Sequence, residues 1–369
     1  MIGNKLGDLR QQIDTIDKKI LKLISNRAHC AQEVAKIKQK ACEESGEPVV
    51  FYKPEREAQV LRAIMKNNEG PLADEEIARL FREIMSACLS LEMPLKVAYL
   101  GPDGTFTKQA AIKHFGHSAH CVPMAAIDAV FREVSAGAAN YGVVPVENSS
   151  EGVVNHTLDS FIDSSLKICG EVVLRIHHHM LISENTNKEN ITRIYSHSQS
   201  LAQCRKWLDS NWPTAERIAV SSNAEAAKRV HAELNSAAIA GDMAVELYHL
   251  KKIAEKIEDQ PDNSTRFLII GNDQVPCSST NGQDDTTSII VGVKNQPGAL
   301  QSILQPFHDH NIDLTRVETR PAHRGIWNYL FFIDFNGHQD ESVAKAILKN
   351  LSEHANDLKI LGSYPKGVL

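Results

Sequence analysis

Three basic residues near the start of the chain, Arg10, Arg27 and Lys38, are candidates for binding an anion. They lie in a stretch whose apolar residues recur every three or four positions, as in a helix. Arg27 occupies a position at which this rhythm predicts a buried apolar residue, so its guanidinium needs an anionic partner. Lys38 follows three helical turns later, about 16 Å along the axis and on nearly the same face. Both side chains could therefore converge on a small dianion.

Arg10 cannot join these two from the same helix. It lies about 25 Å from Arg27 along the axis and is turned by about 100°. If Arg10 contributes to the site, we expect it to come from a second copy of the chain. Each basic residue alone is also compatible with an ordinary surface ion pair.

Further charged candidates lie in the two segments that follow. Arg56 and Glu57 begin a second helical stretch, and Glu92 lies on the apolar stripe of a third, one turn after Cys88. A carboxyl group that faces a protein core has its charged form disfavoured, so Glu92 could stay neutral and donate a hydrogen bond. These residues predict a polar pocket within a helical region.

Four polar clusters stand at the ends of predicted strands in the middle of the chain. They are residues 101–107, 145–150, 196–200 and 263–267. One such cluster alone is compatible with a capped helix or a turn. Ligands of α/β proteins tend to bind at the carboxyl ends of strands, so four clusters predict one shared cleft. The chain has neither a GxGxxG nor a GK[ST] motif, which argues against nucleotide-dependent hydride transfer.

Three consecutive histidines, His177, His178 and His179, invite a metal interpretation. In a strand they would alternate between faces, and no carboxylate is suitably spaced beside them. We therefore expect structural strand histidines, no metal and no cofactor. His197, beside Gln199, is a better candidate for a polar role in a site.

Helices must position the first set of candidates. The apolar rhythm predicts one long helix with a heptad seam, then a second helix with Pro54 in its first turn and a third with Asp74 as N-cap, stopped by Pro94. Residues 1–93 thus read as an all-α domain with too few elements to bury its long seam alone. This predicts a homodimer or a higher homo-oligomer.

The rest of the chain predicts two further domains, which makes the protein multidomain. Residues 96–273 alternate short apolar strands with helical stretches, as in an α/β domain. Residues 275–287 are polar and lack periodicity, which predicts a linker. Residues 287–364 follow the order βαββαβ with a short last strand, which predicts an α+β ferredoxin-like sandwich.

The composition is that of an ordinary globular protein, with 42% hydrophobic and 23% charged residues and a net charge of -6. Without a polybasic field, neither nucleic acid nor an acidic membrane is an expected partner. We expect a cytoplasmic location because the start lacks an apolar signal core and the chain lacks a long apolar run. Seven scattered cysteines without a CxxC motif predict neither a disulfide framework nor a zinc site.

The helical region resembles the all-helical class of chorismate mutase. The resemblance rests on Arg10, Arg27, Lys38, Arg56, Glu57 and the segment RLFREIMSACLSLE, which includes Cys88 and Glu92. It implies an intertwined dimer in which an arginine of the partner completes each site. It also implies that Arg10 and Arg27 bind the substrate carboxylates, Lys38 and Glu92 the ether oxygen, and Glu57 the ring hydroxyl.

Three positions depart from the best-known mutases. Lys53 stands where they have an acidic residue, Cys88 where they have a serine, and Glu92 where they have a glutamine. The last departure matters most, because an ionised Glu92 would repel the oxyanion that develops in the rearrangement.

Residues 96–271 resemble prephenate dehydratase through five motifs in order: AYLGPDGTFT, GVVPVENSSEG, SHSQSLAQC, AAIAGD and NSTRF. The resemblance implies a two-lobed α/β fold, similar to periplasmic binding proteins, with the site between the lobes. It points to Thr265 as the essential residue and to Arg266 as a ligand of a substrate carboxylate. The remaining substrate-binding candidates are Thr105, Glu147, Asn148, Ser149, His197, Gln199, Ser200 and Phe267.

The C-terminal region resembles an ACT regulatory domain, whose GAL and ESRP motifs bind phenylalanine across a dimer interface. The matching residues are Gly298, Ala299 and Leu300 at a strand-to-helix turn, and Glu318, Thr319, Arg320 and Pro321 at a strand end. The turn alone is also compatible with an ordinary Pro/Gly turn. Thr319 replaces the usual serine and adds a methyl group.

Together the three resemblances imply the steps from chorismate to prephenate and on to phenylpyruvate, with L-phenylalanine as allosteric inhibitor. One alternative is a non-catalytic amino-acid sensor, because a binding-protein-like lobe pair with an ACT domain could merely report a ligand. Another is a mutase fused to a prephenate dehydrogenase, which would need the missing glycine-rich loop.

Overall fold

The computed structural model describes residues 2–46, 50–279, 284–294, 296–321 and 328–368. The chain divides into two compact units. The first contains residues 1–53, 61–95 and 115–120, and the second contains residues 54–60, 96–114 and 121–369. No helix among the described residues is long and apolar enough to cross a membrane.

Helices build the first unit. They are α1 (Ile2–Ser45), α2 (Pro54–Lys66), which belongs to this unit from residue 61 onward, and α3 (Asp74–Glu92). The three predicted helices and the place of Pro54 are confirmed. The predicted N-cap of α3 is wrong by one position, because Ala73 is the cap and Asp74 is the first helical residue. Asp74 Oδ1 instead accepts a hydrogen bond of 2.8 Å from Asn68 Nδ2.

The apolar seam of α1 is exposed along most of its length. It comprises Leu6, Leu9, Ile13, Ile16, Ile20, Leu23, Val34 and Ile37, each with more than two fifths of its surface accessible. Helix α3 packs against α1 within the same unit but leaves these side chains uncovered. The seam is therefore an apolar surface without a covering element in the described chain.

The second unit contains two α/β lobes. The sheet of the first lobe has the strand order β2-β1-β3-β11-β5, with β4 paired to β3. Its strands are β1 (Lys96–Leu100), β2 (His120–Met124), β3 (Tyr141–Asn148), β4 (Gly152–Val153), β5 (Lys167–Arg175) and β11 (Ser264–Gly271). Its helices are α4 (Phe106–Phe115), α5 (Ile127–Ser135) and α6 (Asn155–Asp163).

The sheet of the second lobe has the order β10-β6-β9-β7-β8. Its strands are β6 (His179–Ile182), β7 (Arg193–His197), β8 (Glu216–Val220), β9 (Ser236–Ala240) and β10 (Lys251–Ala254). Its helices are a 3-10 turn (Lys188–Asn190), α7 (Ser198–Gln203), α8 (Arg205–Asn211), α9 (Asn223–Ala232) and α10 (Asp242–Tyr248). The chain enters this lobe after β5 and returns through β11, so two short crossings join the lobes.

The third sheet has the order β13-β14-β12-β15, with all neighbours antiparallel. Its strands are β12 (Asp285–Lys294), β13 (Leu314–Pro321), β14 (Asn328–Asn336) and β15 (Asp357–Pro365), and its helices are α11 (Ala299–Asp309) and α12 (Ser342–His354). The predicted order βαββαβ is confirmed. The last strand has nine residues and is not short.

Both faces of this third sheet are buried. One face packs on α11 and α12 through Ile289, Ile333, Phe307 and other apolar residues. The other face contributes Phe332 and Tyr364 to a core that it shares with the helices and strands of the first lobe. The third sheet and the first lobe are therefore joined by continuous apolar packing.

The predicted linker is wrong at both of its ends. Strand β12 begins at Asp285, and Asp285, Ser278 and Val275 are all buried. The Asp285 carboxylate accepts hydrogen bonds from Ser278 N, at 2.9 Å, and from Ser278 Oγ. Polar residues can be buried when they are hydrogen-bonded, and a hydrophobicity pattern does not reveal this. Residues 280–283 of the predicted linker lie outside the described residues.

Candidate active site

A pocket of about 590 Å³ opens between the two α/β lobes. Its walls come from the carboxyl ends of β3 and β7, from the start of α4 and from the two crossings. It brings together six of the candidates from the sequence: Thr105, Asn148, His197, Gln199, Ser200 and Thr265. Side chains from four separate motifs therefore share one polar cleft.

Thr265 is held by Asn148 in this pocket. The two residues face each other across the β11 and β3 pair, and Asn148 Nδ2 lies 2.8 Å from Thr265 Oγ1. The Thr265 oxygen thus accepts a hydrogen bond, and no described group receives the proton of its hydroxyl. This arrangement leaves that proton for a ligand in the pocket.

The hydrogen-bond chain continues from Asn148 to His178. Asn148 Nδ2 lies 2.9 Å from Asn263 Oδ1, and Asn263 Nδ2 donates to Gln203 Oε1 at 3.2 Å. Gln203 Oε1 also lies 2.8 Å from His178 Nε2. Because Gln203 Oε1 accepts in both contacts, His178 Nε2 carries the proton of that ring.

His178 is therefore a neutral acceptor in the pocket wall. Its ring is almost fully buried, and burial lowers its pKa. Within the described part of the chain, His178 Nδ1 has no hydrogen-bond partner. The Phe106 ring packs edge-on against it, with 5.8 Å between the ring centroids. A buried acceptor without a partner is costly and suits a ligand that donates a hydrogen bond.

The expectation of structural strand histidines is wrong for His177 and His178, and it is confirmed for His179, which is buried in a strand. His177 and His178 lie on the first crossing between the lobes, and only His179 belongs to β6. His177 Nδ1 lies 2.7 Å from Glu258 Oε1, and His179 Nε2 lies 3.3 Å from Asp242 Oδ1. These carboxylates are distant in sequence, so spacing could not reveal them. Among the described residues, no group of three or more metal-ligating side chains is present.

The second-lobe wall is organised by Asn223, the first residue of α9. Asn223 Oδ1 accepts hydrogen bonds from His197 N at 3.1 Å and from Ser196 Oγ at 2.9 Å. Asn223 Nδ2 donates to Ser200 Oγ at 2.9 Å. Asn223 thereby fixes the turn that leads from β7 into α7, and with it the backbone that carries His197 and Gln199.

Three dehydratase candidates do not line the pocket. Glu147 Oε2 lies 3.5 Å from Arg316 Nε of β13. Ser149 Oγ accepts a hydrogen bond of 2.9 Å from Ser264 N and so connects the residue after β3 to the start of β11. Phe267 is buried. These residues support the pocket from behind.

Arg266 also lies outside the pocket, contrary to the expectation that it binds a substrate carboxylate. Successive residues of a strand face opposite sides, so Arg266 points away from the side on which Thr265 lines the pocket. Its guanidinium lies 2.8 Å from Glu171 Oε2, 2.7 Å from Asp334 Oδ2 and 3.0 Å from Tyr364 Oη. All of its nitrogens are therefore engaged by the protein itself.

Helices α1 and α3 bring two of the mutase candidates together. Lys38 Nζ lies 3.7 Å from Glu92 Oε2 and donates to Phe51 O at 3.2 Å. Glu92 exposes only 12% of its side chain, and its Oε2 has no hydrogen-bond partner in the described chain. Cys88 is buried one turn earlier on α3. Lys38 and Glu92 thus form a polar pair that is largely shielded from water.

The other mutase candidates come from other turns of α1 and from the first turn of α2. Arg10 and Arg27 are both exposed on the single helix α1. Arg56 and Glu57 lie in the first turn of α2, where Arg56 Nη1 donates to Gln59 Oε1 at 3.4 Å. The structure of one chain does not bring Arg10 to Arg27.

The third sheet carries the candidate effector residues at two places. Gly298 caps α11 with a φ of +84°, a conformation that favours glycine, and Ala299 and Leu300 begin that helix. Glu318, Thr319, Arg320 and Pro321 lie on the edge strand β13. Arg320 is paired with Asp159 of α6 through two bonds of 2.9 and 2.7 Å, so its guanidinium faces the first lobe.

Comparison with known proteins places these features in one family. Residues 9–93 match the family model of chorismate mutase type II, residues 97–275 that of prephenate dehydratase, and residues 287–353 that of the ACT domain. The bifunctional chorismate mutase/prephenate dehydratase of Pseudomonas aeruginosa is 64% identical over 366 residues, which cover 99% of each chain. The chain belongs to the bifunctional chorismate mutase/prephenate dehydratase family.

Two solved structures share the fold of the part that follows the helical region of this family member. The prephenate dehydratase of Arthrobacter aurescens, solved in complex with L-Phe, is 32% identical with a TM-score of 0.68 and covers 73% of this chain and 90% of its own. GqqA, described as a novel type of quorum quenching acylase, is 25% identical with a TM-score of 0.68 and covers 74% and 98%. The predicted fold class, with its helical, two-lobed and ferredoxin-like parts, is confirmed.

The pocket of this bifunctional chain also contains residues that were not among the sequence candidates, including His178, Gln203, Asn223 and Asn263. Gln203 and Asn263 stand inside the motifs SHSQSLAQC and NSTRF, so a signal was present for both. A motif does not show which of its side chains faces the ligand. Asn223 begins an ordinary helix, and we find no sequence signal that distinguishes it.

Proposed function

We propose that this chain converts chorismate to prephenate and prephenate to phenylpyruvate, and that L-phenylalanine inhibits the second step. The observation that carries the dehydratase assignment is the Thr265–Asn148 pair in the pocket between the lobes. Family membership provides the substrates, and the pocket provides the groups that would act on the second one.

The dehydratase step expels the ring hydroxyl while the ring carboxylate leaves as carbon dioxide. The electrons of the carbon–carboxylate bond complete the aromatic ring, and the departing oxygen takes a proton and leaves as water. Thr265 is suited to donate a hydrogen bond to that oxygen, because Asn148 occupies its acceptor side. His178 Nδ1 is suited to accept the proton of the hydroxyl and so to orient it.

The mutase step needs no nucleophile, because the rearrangement is pericyclic. A rigid polar pocket that favours the compact, charge-separated transition state suffices. We assign Lys38 and Glu92 to the ether oxygen, Arg27 and Arg10 to the carboxylates and Glu57 to the ring hydroxyl, with Arg10 supplied by a second copy. The exposed apolar seam of α1 supports this homodimer, because self-association would bury it.

Phenylalanine binding is assigned to the third sheet, at the turn that begins with Gly298 and at the end of β13. The solved dehydratase of Arthrobacter aurescens contains L-Phe, which supports this effector. We retain the division into residues 1–93, 96–273 and 287–364 as mutase, dehydratase and regulatory domains. The expected cytoplasmic location is retained as part of the same proposal.

Chorismate turnover by the purified chain tests this function. We expect prephenate and then phenylpyruvate, with phenylpyruvate formation suppressed by phenylalanine. Thr265→Val keeps the shape of the side chain but lacks the hydroxyl, so this variant should accumulate prephenate. Phenylpyruvate formation by Thr265→Val at the wild-type rate would refute the role of Thr265. Unchanged chorismate would refute the mutase assignment, and binding of phenylalanine without any turnover would favour the amino-acid sensor.

A further inference from the structure

Arg266 and Glu147 are both ion-paired with the third sheet. Arg266 Nη1 lies 2.7 Å from Asp334 Oδ2 of β14, and Glu147 Oε2 lies 3.5 Å from Arg316 Nε of β13. Arg316 and Asp334 are themselves opposite each other in the β13 and β14 pair. We name these four residues the charge quartet: Glu147, Arg266, Arg316 and Asp334.

The quartet lies directly behind the Thr265–Asn148 pair. In the β11 and β3 pair, Thr265 is opposite Asn148, and Arg266 is opposite Glu147. Each pocket residue therefore has a sequence neighbour that is tied to the third sheet. Because neighbouring side chains of a strand face opposite sides, the pocket pair and the quartet lie on opposite faces of the same two strands.

The quartet is poorly accessible to solvent on its third-sheet side. Arg316 and Asp334 expose 9% and 8% of their side chains, and Arg266 exposes 17%. Asp334 Oδ1 also accepts a hydrogen bond of 2.5 Å from Ser288 Oγ of β12. The Arg266–Asp334 pair is hydrogen-bonded and largely buried, whereas Glu147 exposes 41% of its side chain and meets the buried Arg316 at 3.5 Å without a hydrogen bond. Moving either carboxylate away removes a charged partner from a buried guanidinium, which costs free energy. A shift of β13 against β14 would therefore change the position of β3 relative to β11, because β13 is ion-paired to β3 and β14 to β11 through these residues.

Strand β13 also carries the candidate effector residues, Glu318 to Pro321, beginning two positions after Arg316. A ligand that displaces β13 would reach Arg316 through a few residues of one extended strand. We propose that the charge quartet transmits phenylalanine binding at β13 to the Thr265–Asn148 pair. Its members are positioning residues, and the inference rests on the phenylalanine inhibition proposed above.

Two substitutions interrupt the quartet. Asp334→Asn removes one of the two carboxylate charges that Arg266 contacts, the other being Glu171, and Arg316→Gln removes the charge that faces Glu147. In both variants we expect phenylalanine to bind with a Kd within about threefold of the wild type, because its proposed site is intact. The concentration of phenylalanine that halves dehydratase activity should rise at least about tenfold, which corresponds to about 1.4 kcal/mol of lost coupling.

A matched control removes a different contact between the third sheet and the first lobe. Lys359 of β15 donates hydrogen bonds to the carbonyl oxygens of Phe161, Ile162 and Ser164, at 2.8, 2.8 and 2.7 Å. Lys359→Gln removes these contacts without touching the quartet. We expect this variant to have a lower Tm but an unchanged response to phenylalanine. If Asp334→Asn does not fold, Ser288→Ala is the milder variant, because it removes only one hydrogen bond of the Asp334 carboxylate. It should also raise the concentration of phenylalanine that halves dehydratase activity.

The measurements are dehydratase inhibition, phenylalanine binding by calorimetry and Tm on the full-length chain. Wild-type inhibition in the quartet variants, with only Tm reduced, would show that the quartet contributes to stability alone and would overturn the inference. Loss of phenylalanine binding in those variants would also overturn it, because the residues would then belong to the effector site. If wild type binds phenylalanine but is not inhibited by it, the proposed regulation itself fails.

Discussion

Asn148 Nδ2 lies 2.8 Å from Thr265 Oγ1 across two antiparallel strands, and this contact determines which way the Thr265 hydroxyl can donate. An amide at position 148 occupies a lone pair of the oxygen and leaves the proton for the substrate. The direction of this hydrogen bond therefore decides whether the Thr265 hydroxyl can donate to the leaving group of the substrate or only to the protein.

Asn148→Asp tests this direction with almost no change of shape. A carboxylate cannot donate, so the Thr265 hydroxyl would donate to Asp and be lost to the substrate. We expect the kcat of prephenate dehydration to fall about 100-fold, as for the loss of one oriented donor. Mutase activity of the same preparation serves as the folding control. Dehydratase activity close to the wild type would contradict the proposed role of Asn148.

His178 is tested by two substitutions that separate its ring nitrogens. Gln at this position can keep the bond to Gln203 that Nε2 makes but has no group near Nδ1, whereas Asn places its amide near Nδ1 and loses Gln203. We expect His178→Gln to lower dehydratase kcat/KM by about tenfold or more and His178→Asn to retain more activity. The opposite order would mean that only the bond to Gln203 matters.

The lowered pKa of His178 also predicts a pH dependence of stability. Burial keeps the pKa of this ring below its ordinary value of 6.5 in the folded chain. As the pH falls through 6.5, the unfolded chain takes up a proton that the folded chain does not, so the free energy of unfolding decreases. His178→Gln lacks this proton. Its Tm should therefore fall less than that of the wild type between about pH 7.5 and pH 5.5, and equal losses would contradict the proposal.

Three residues of β3 and β11 show how much of the site the sequence predicts. Asn148 was found because it belongs to a polar cluster at the carboxyl end of a strand, where an α/β fold places its ligands, and Thr265 was found through the resemblance of the motif NSTRF. Arg266 was assigned to the pocket although the alternation of side chains along a strand already predicts that it faces away from Thr265. That assignment followed the resemblance to prephenate dehydratase and neglected the alternation of side chains along the strand.

Other features could not be predicted because they depend on tertiary contacts. The chain from Asn148 to His178 joins residues that are up to 115 positions apart in sequence. The members of the quartet are also distant in sequence, because two come from an α/β lobe and two from the third sheet. The polar stretch around Asp285 was taken for a linker because a buried hydrogen-bonded segment and a solvated one have the same composition.

Glu92→Gln restores the glutamine that the best-known mutases have at this position of the helical region. Glu92 is largely shielded from water and lies 3.7 Å from Lys38, and an ionised carboxylate there would repel the developing oxyanion. We expect Glu92→Gln to raise the kcat of the mutase reaction, because a neutral amide can donate a hydrogen bond to the ether oxygen without repelling the charge that develops there. A kcat no higher than that of the wild type would contradict this effect of the carboxylate.

Mixed dimers test whether Arg10 acts in the site of a second copy. Arg10→Ala and Arg27→Ala should each lack mutase activity alone, because each removes a carboxylate ligand. If a site combines Arg27 of one copy with Arg10 of the other, the mixed dimer has one intact site and one doubly altered site. Unfolding and refolding the two variants together should then restore about a quarter of the wild-type mutase activity, because half of the dimers are mixed. No recovery, with dehydratase activity intact in the same sample, would show that both arginines of one site come from the same chain, whereas wild-type mutase activity of Arg10→Ala alone would remove Arg10 from the site.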